Sequence, residues 1–269
     1  MTASGTRPWA KRFHDFPRLR PRFSWVDYLE DFHRRRPGVT EDVLARSTAI
    51  GTDPYRWLLE PLRLTGPVLD LACGSAPLLG AREWEGWVGV DRSPAELARA
   101  AEAGATPLVR GDAAALPFAT GTFNAVVCSM AIMLLEPLDS VLAEIRRVVR
   151  PGGTAVFMLP GSRPLTPADL LHYGQLMTAV RQSHLAYPND RRIARLGRLL
   201  QKAGFDLVAD ERLRFVYPIE DEASARLFVD SLYLPAVSER RLAKASTAAS
   251  RWMGQEIGIP LRRVVVFVT

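Results

Sequence analysis

Cysteine, lysine and long apolar runs are all scarce in this chain of 269 residues. Only two cysteines occur, Cys73 and Cys128, and neither has metal-ligand spacing. That excludes a disulfide framework and a zinc module, so no metal is expected and a reducing cytoplasm is the expected setting. The longest uncharged apolar stretch, residues 125–135, is 11 long, and a bilayer-crossing helix needs roughly 20. No apolar segment follows the basic residues near the N-terminus, so no secretory leader is expected. Lysine appears three times against 32 arginines, a compositional bias rather than a sign of planar recognition.

What is present suits a globular chain, with 48% hydrophobic and 24% charged residues. The length accommodates one large α/β domain with an appended cap. The net charge of +6 is concentrated: residues 1–36 hold nine Lys/Arg against four Asp/Glu. A protein that coats nucleic acid spreads its basic surface over the folded domain, so nucleic acid is not an expected partner. The basic arm reads either as a solvated extension or as a segment meeting an anionic surface.

Three short helices carrying Trp and Tyr are expected before the first strand. Ser24 caps a helix with Trp25, Tyr28, Leu29 and Phe32 on one face. A second starts at Thr40, and a third has Asp53 as its cap and Pro54 at its first position. From Val68 short apolar strands alternate with one-face helices, which predicts a parallel sheet covered on both sides. Ser93-Pro94-Ala95-Glu96 reads as a capping box opening a helix. Residues 1–65 are therefore assigned to a basic arm and helical cap. Residues 66–269 form the main domain, with added helical material at about 160–190 and 220–255 over the working face.

The first strand ends in Asp70-Leu71-Ala72-Cys73-Gly74-Ser75, a nucleotide-site pattern in which Gly74 lets the chain turn and a ligand approach closely. Asp91, at the end of the next strand, suits a ribose diol. These two features fit a dinucleotide or another adenosine cofactor equally. The three-glycine pattern of a pyrophosphate loop is absent, however: Gly74, Ala76 and Leu79 stand where three glycines are needed.

Here the chain resembles the class I S-adenosylmethionine (SAM)-dependent methyltransferases, specifically the small-molecule "type 11" domains. Residues 66 to about 160 carry the resemblance: VLDLACGSA, VGVD, RGDAAALPF, FNAVVCSMAI and RVVRPGG, in that order. It implies a Rossmann-like sheet of seven mostly parallel strands, the last antiparallel, with helices on both faces. It implies SAM as cofactor and S-adenosylhomocysteine as product. Asp70 would organise the turn and the Ala72–Gly74 backbone would lie along the cofactor. Asp91 would take the ribose hydroxyls and Arg92 the adenine edge. Asp112 and the Ala113 amide would read the adenine ring, with Cys128 and Ser129 beside the methionyl part. The family usually has glycine at the positions of Ala72 and Ala76, and the first helix here must be short.

The Asn-Pro-Pro-Tyr type of motif that grips planar amino nitrogens is missing after the fourth strand, where the chain reads CSMA. A small, largely apolar metabolite is thus the expected acceptor, with methylation at oxygen, nitrogen or activated carbon. The expected pocket wall comprises Trp25, Tyr28, Tyr55, Trp57, Met130, Met133 and Tyr173. His172 and His184 are the candidate general bases; His14 and His33, in the basic arm, are set aside. Two other readings stand beside this one. The acceptor is a quinone or lipid precursor presented at a membrane that the arm touches, or the protein binds SAM without transferring methyl.

Overall fold

The computed structural model describes residues 23–62 and 65–268. Most of the expected basic arm lies outside the described residues. Seven strands form one sheet: β1 (Val68–Leu71), β2 (Trp87–Asp91), β3 (Leu108–Arg110), β4 (Phe123–Ser129), β5 (Val149–Pro160), β6 (Phe205–Ile219) and β7 (Gln255–Val268). Their order is β3-β2-β1-β4-β5-β7-β6. Pairing is parallel from β3 to β5, while β7 runs antiparallel to both β5 and β6. β1 is buried along its whole length, as a central parallel strand covered on both faces must be.

Helices α1 (Trp25–Arg35), α2 (Val39–Ala45) and α3 (Pro54–Leu59) precede β1. Ser24 Oγ accepts the Asp27 amide and starts α1, and Asp53 Oδ1 accepts the amides of Tyr55 and Arg56 to start α3. α2 begins one residue before the expected Thr40, after Gly38 with φ of 72°. α4 (Pro94–Glu102) and α5 (Leu138–Val148) cover the parallel half of the sheet. The short helix expected after the glycine turn is a single 3-10 turn, Leu79–Ala81. Too few residues lie between Pro77 and the strand at Trp87 for more.

The remaining helices are α6 (Pro167–Val180), α7 (Asp190–Ile193), α8 (Leu196–Lys202), α9 (Glu222–Asp230) and α10 (Glu239–Ala249). β6 and β7 form a long ribbon whose far end pairs Tyr217 with Ile257. Around that end α6, α9 and α10 build an apolar cluster of their own, including Leu176, Phe228 and Trp252. Asp169 ties it together: it is buried, pairs with Arg214 at 2.7 Å, and accepts the Gly258 amide at 2.7 Å. The chain just beyond α9 returns to the cap, where the Leu234 amide donates to Tyr28 Oη at 2.8 Å and Thr40 Oγ1 donates to Ser231 O at 3.2 Å.

Candidate active site

At the carboxyl edge of β1, the chain turns through Ala72, Gly74 and Ala76 with φ of 55°, 53° and 60°. This left-handed region costs an L-residue about 1–2 kcal/mol, so the two alanines occupy positions that favour glycine. The turn is held from below, because the Gly74 amide donates to Asp91 Oδ2 at 2.9 Å. Asp91 Oδ1 accepts the Ser93 amide at 2.8 Å, which leaves each carboxylate oxygen a further lone pair for a ligand.

Two contiguous cavities open beside this turn and share His33, Ala72, Asp91, Ala131 and Leu134 in their walls. The larger, about 470 Å³, runs past Arg92, Asp112 and Ala113 beneath Trp25. The smaller, about 70 Å³, lies between Asp70, Gly74, Ser129 and Met130, with Glu41, Tyr55 and Tyr233 facing them. Asp70 is buried and its Oδ2 makes no hydrogen bond. Burial, with Asp91 and Glu41 nearby, pushes its pKa up to about 8; Trp87 Nε1 approaches closely enough to lower it somewhat. Asp112 Oδ1 accepts the Ala114 amide at 2.9 Å, which fixes the loop that ends the larger cavity.

The cap contributes a second set of groups. His33 Nδ1 meets Glu96 Oε1 at 2.7 Å, and Glu96 also accepts the Gly38 amide at 2.9 Å. The expected capping box is therefore only half formed: Ser93 Oγ accepts the Glu96 amide at 3.4 Å, but the Glu96 carboxylate turns to the cap instead. Burial alone would lower the pKa of His33. The Glu96 bond and the charges of Asp91 and Glu41 outweigh it and hold the pKa above the ordinary histidine value. Tyr233 Oη stands 3.4 Å from His33 Nε2.

Of the residues singled out in the sequence, Asp70, Ala72, Gly74, Asp91, Arg92, Asp112, Ala113, Ser129, Trp25, Tyr55 and Met130 line these cavities. Others do not. Cys128 and Met133 are buried in the core behind the wall, and Trp57 packs on Phe215 beneath the Arg263 guanidinium. Tyr28 spends its hydroxyl on Leu234, and Tyr173 donates to Gly258 O at 3.0 Å in the distal cluster. His172 faces a separate cleft, where it stacks on Trp252 and meets Gln255 Oε1 at 3.1 Å. His184 is exposed beside Ser183. The 160–190 insertion therefore carries no base into the cavities, because α6 packs on α10 and β7 instead.

His33, set aside in the sequence, is the histidine that reaches both cavities, and Glu41 was missed entirely. Their signal was present as a histidine and an acid flanking a Pro-Gly turn, but only the folded cap brings them to Gly74.

The "Methyltransferase domain" family matches residues 69–157, the segment holding the turn, Asp91 and Asp112. A demethylmenaquinone methyltransferase of Thermobifida fusca is 33% identical over 204 residues, covering 65% of this chain and 85% of that protein. The chain belongs to the class I SAM-dependent methyltransferase family. A second demethylmenaquinone methyltransferase, from Mycolicibacterium vanbaalenii, is 39% identical over 45% of this chain, and the match spans 54% of that protein's length. Among solved structures, phosphoethanolamine N-methyltransferase 2 of Haemonchus contortus, bound to S-adenosylhomocysteine, superposes with a TM-score of 0.54. At 15% identity over 94% of this chain and 61% of that one, it shares the fold.

The methyltransferase cavities suit SAM on their own chemistry. The larger ends in the carboxylates that an adenosine needs, and the smaller gathers Asp70, Asp91 and Glu41 with no lysine or arginine among the described residues of its wall. An unbonded buried carboxylate is costly until a donor or cation reaches it.

Proposed function

We propose that the protein transfers the methyl group of SAM to an oxygen, nitrogen or activated carbon of a small, mostly apolar metabolite. The observation that carries this is the pair of joined cavities, one adenosine-sized, the other small and closed by the cap. Bound there, SAM supplies a methyl on a sulfonium, an electrophile that needs alignment more than activation. Asp91 holds the ribose and Asp112 the adenine amino group, while Asp70 and the Ala72–Gly74 backbone hold the methionyl part. Met130, Leu134 and Tyr233 exclude water from the acceptor. For an acceptor that must lose a proton, His33 receives it at Nε2, with Nδ1–H directed at Glu96. The unpaired thiols of Cys73 and Cys128 suit a reducing cytoplasm.

Methyl transfer from isotope-labelled SAM into a source-cell extract, separated into small-molecule, lipid, RNA and protein fractions, tests this. Label in an organic-soluble small molecule is expected. Label in RNA or protein, or in no fraction, would contradict it.

A second reading is supported by the relatives named demethylmenaquinone methyltransferase: the acceptor is a quinone or lipid precursor met at a membrane surface. No described helix is long and apolar enough to cross a membrane, so contact would run through the basic arm. This reading expects the full chain to co-sediment with anionic vesicles and a chain lacking residues 1–22 to stay in solution. Equal behaviour of the two chains would refute it.

A further inference from the structure

We propose that Glu41, carried on the cap and outside the matched domain, is a ligand for the cationic methionyl end of the cofactor. The proposal rests on the SAM reading above and adds to it a residue that the methyltransferase motifs do not contain. Glu41 sits in the first turn of α2 and reaches across to the glycine turn, so that a Cβ on Gly74 would collide with its Oε1. It shares the small cavity with Asp91 and with Asp70, whose buried Oδ2 is unbonded.

Three carboxylates around one small space repel one another, and burial denies them the solvent that would relieve it. SAM brings a sulfonium and an ammonium to the same space against a single carboxylate. The cap thus completes the site from the side opposite β1.

Proton linkage follows. The groups facing Glu41 are Glu96 from α4, His33 from α1, Asp70 from β1, Asp91 from β2, Tyr55 from α3 and Tyr233 beyond α9. Burial first, then Glu96, pushes the Glu41 pKa up to about 7, and the Ser75 amide and His33 offset only part of this. Near neutral pH, before the cofactor binds, Asp70 therefore holds a proton and Glu41 is part-protonated. A bound cation favours the ionised carboxylates and expels those protons, so SAM affinity rises with pH through the neutral range and falls below it. S-adenosylhomocysteine, without the sulfonium charge, binds more weakly and expels fewer.

Calorimetric titration of the full chain with SAM and with S-adenosylhomocysteine, in two buffers of unlike ionisation heat, reads both affinity and proton release. Wild type is expected to release protons on binding SAM at about pH 7. Glu41→Gln is expected to bind SAM about tenfold or more weakly at alkaline pH, one pK unit of interaction, with smaller proton release. Its thermal midpoint without ligand should be unchanged or higher, because a repulsive charge has gone. Glu41→Asp should recover part of both binding signatures. Wild-type binding without proton release, or Glu41→Gln binding SAM as wild type does, overturns the proposal. A wild-type chain that binds no SAM at all sinks the cofactor reading and this proposal with it.

Discussion

Glu96 shows how one carboxylate is claimed by two structures. Its position after Ser93-Pro94 predicts a capping box, yet the folded chain spends it on His33 and Gly38, fixing the imidazole at the junction of the two cavities. Holding Nδ1 leaves Nε2 as the acceptor, the arrangement a general base requires. His33→Gln is expected to lower kcat by about 100- to 1,000-fold while the chain still binds SAM. At saturating SAM the wild-type kcat should fall as pH drops through the raised His33 pKa, and the variant should lose that limb. Steady-state rates across pH, paired with SAM calorimetry, check both. A variant that keeps the wild-type pH profile would remove His33 from the mechanism. Glu96→Gln, acting through His33, should shift the limb rather than abolish it.

Among the elements, the alternation of short apolar strands with one-face helices made the parallel half of the sheet legible, with Asp70 and Asp91 at strand ends, while Asp112 and the order of motifs came from the resemblance to the methyltransferase family. Local periodicity records which face is buried, and a glycine turn between strand and helix records where a ligand lies. The cap and the insertions were harder to read. Trp57 and Tyr173 carry the same aromatic signature as Trp25 and Tyr55, yet Trp57 is core, Tyr173 packs half-buried against the distal cluster, and Trp25 and Tyr55 face the cavities. The position of its segment after β5 predicts His172 over the site, but α6 turns away to join α10. That turn depends on the pairing of Asp169 with Arg214, 45 residues apart, which no local pattern reveals.

Asp169 is buried where α6 meets the β6–β7 ribbon. Burial alone would raise its pKa, but bonds from Arg214, Thr166 and the Gly258 amide hold it far below the usual carboxylate range. A depressed folded pKa contributes stability above the unfolded value near 4, and that contribution is lost as pH falls toward the folded one. Asp169→Asn should therefore destabilise the protein at neutral pH by about 3 kcal/mol and flatten its loss of stability in acid. Denaturant melts at neutral and acid pH would show this; a variant as stable as wild type at neutral pH would contradict it.

In the whole molecule, the domain that carries the methyltransferase motifs and the cap are separate stretches of chain joined at the site. Arg36 bonds to the last residue of α9, Thr40 and Tyr28 to the segment after it, and Glu96 bonds to the cap from the sheet side. The cavities exist only where these parts meet, so their ligand should be gripped by both. The most direct test of that account is titration of the full chain with SAM beside Asp91→Ala and Asp112→Ala. One SAM per chain is expected for wild type, with loss of most of the affinity in Asp91→Ala, on the order of 100-fold for the lost charged acceptor. Asp112→Ala should lose less. Unchanged affinity in Asp91→Ala, or no binding by the wild-type chain, would contradict it.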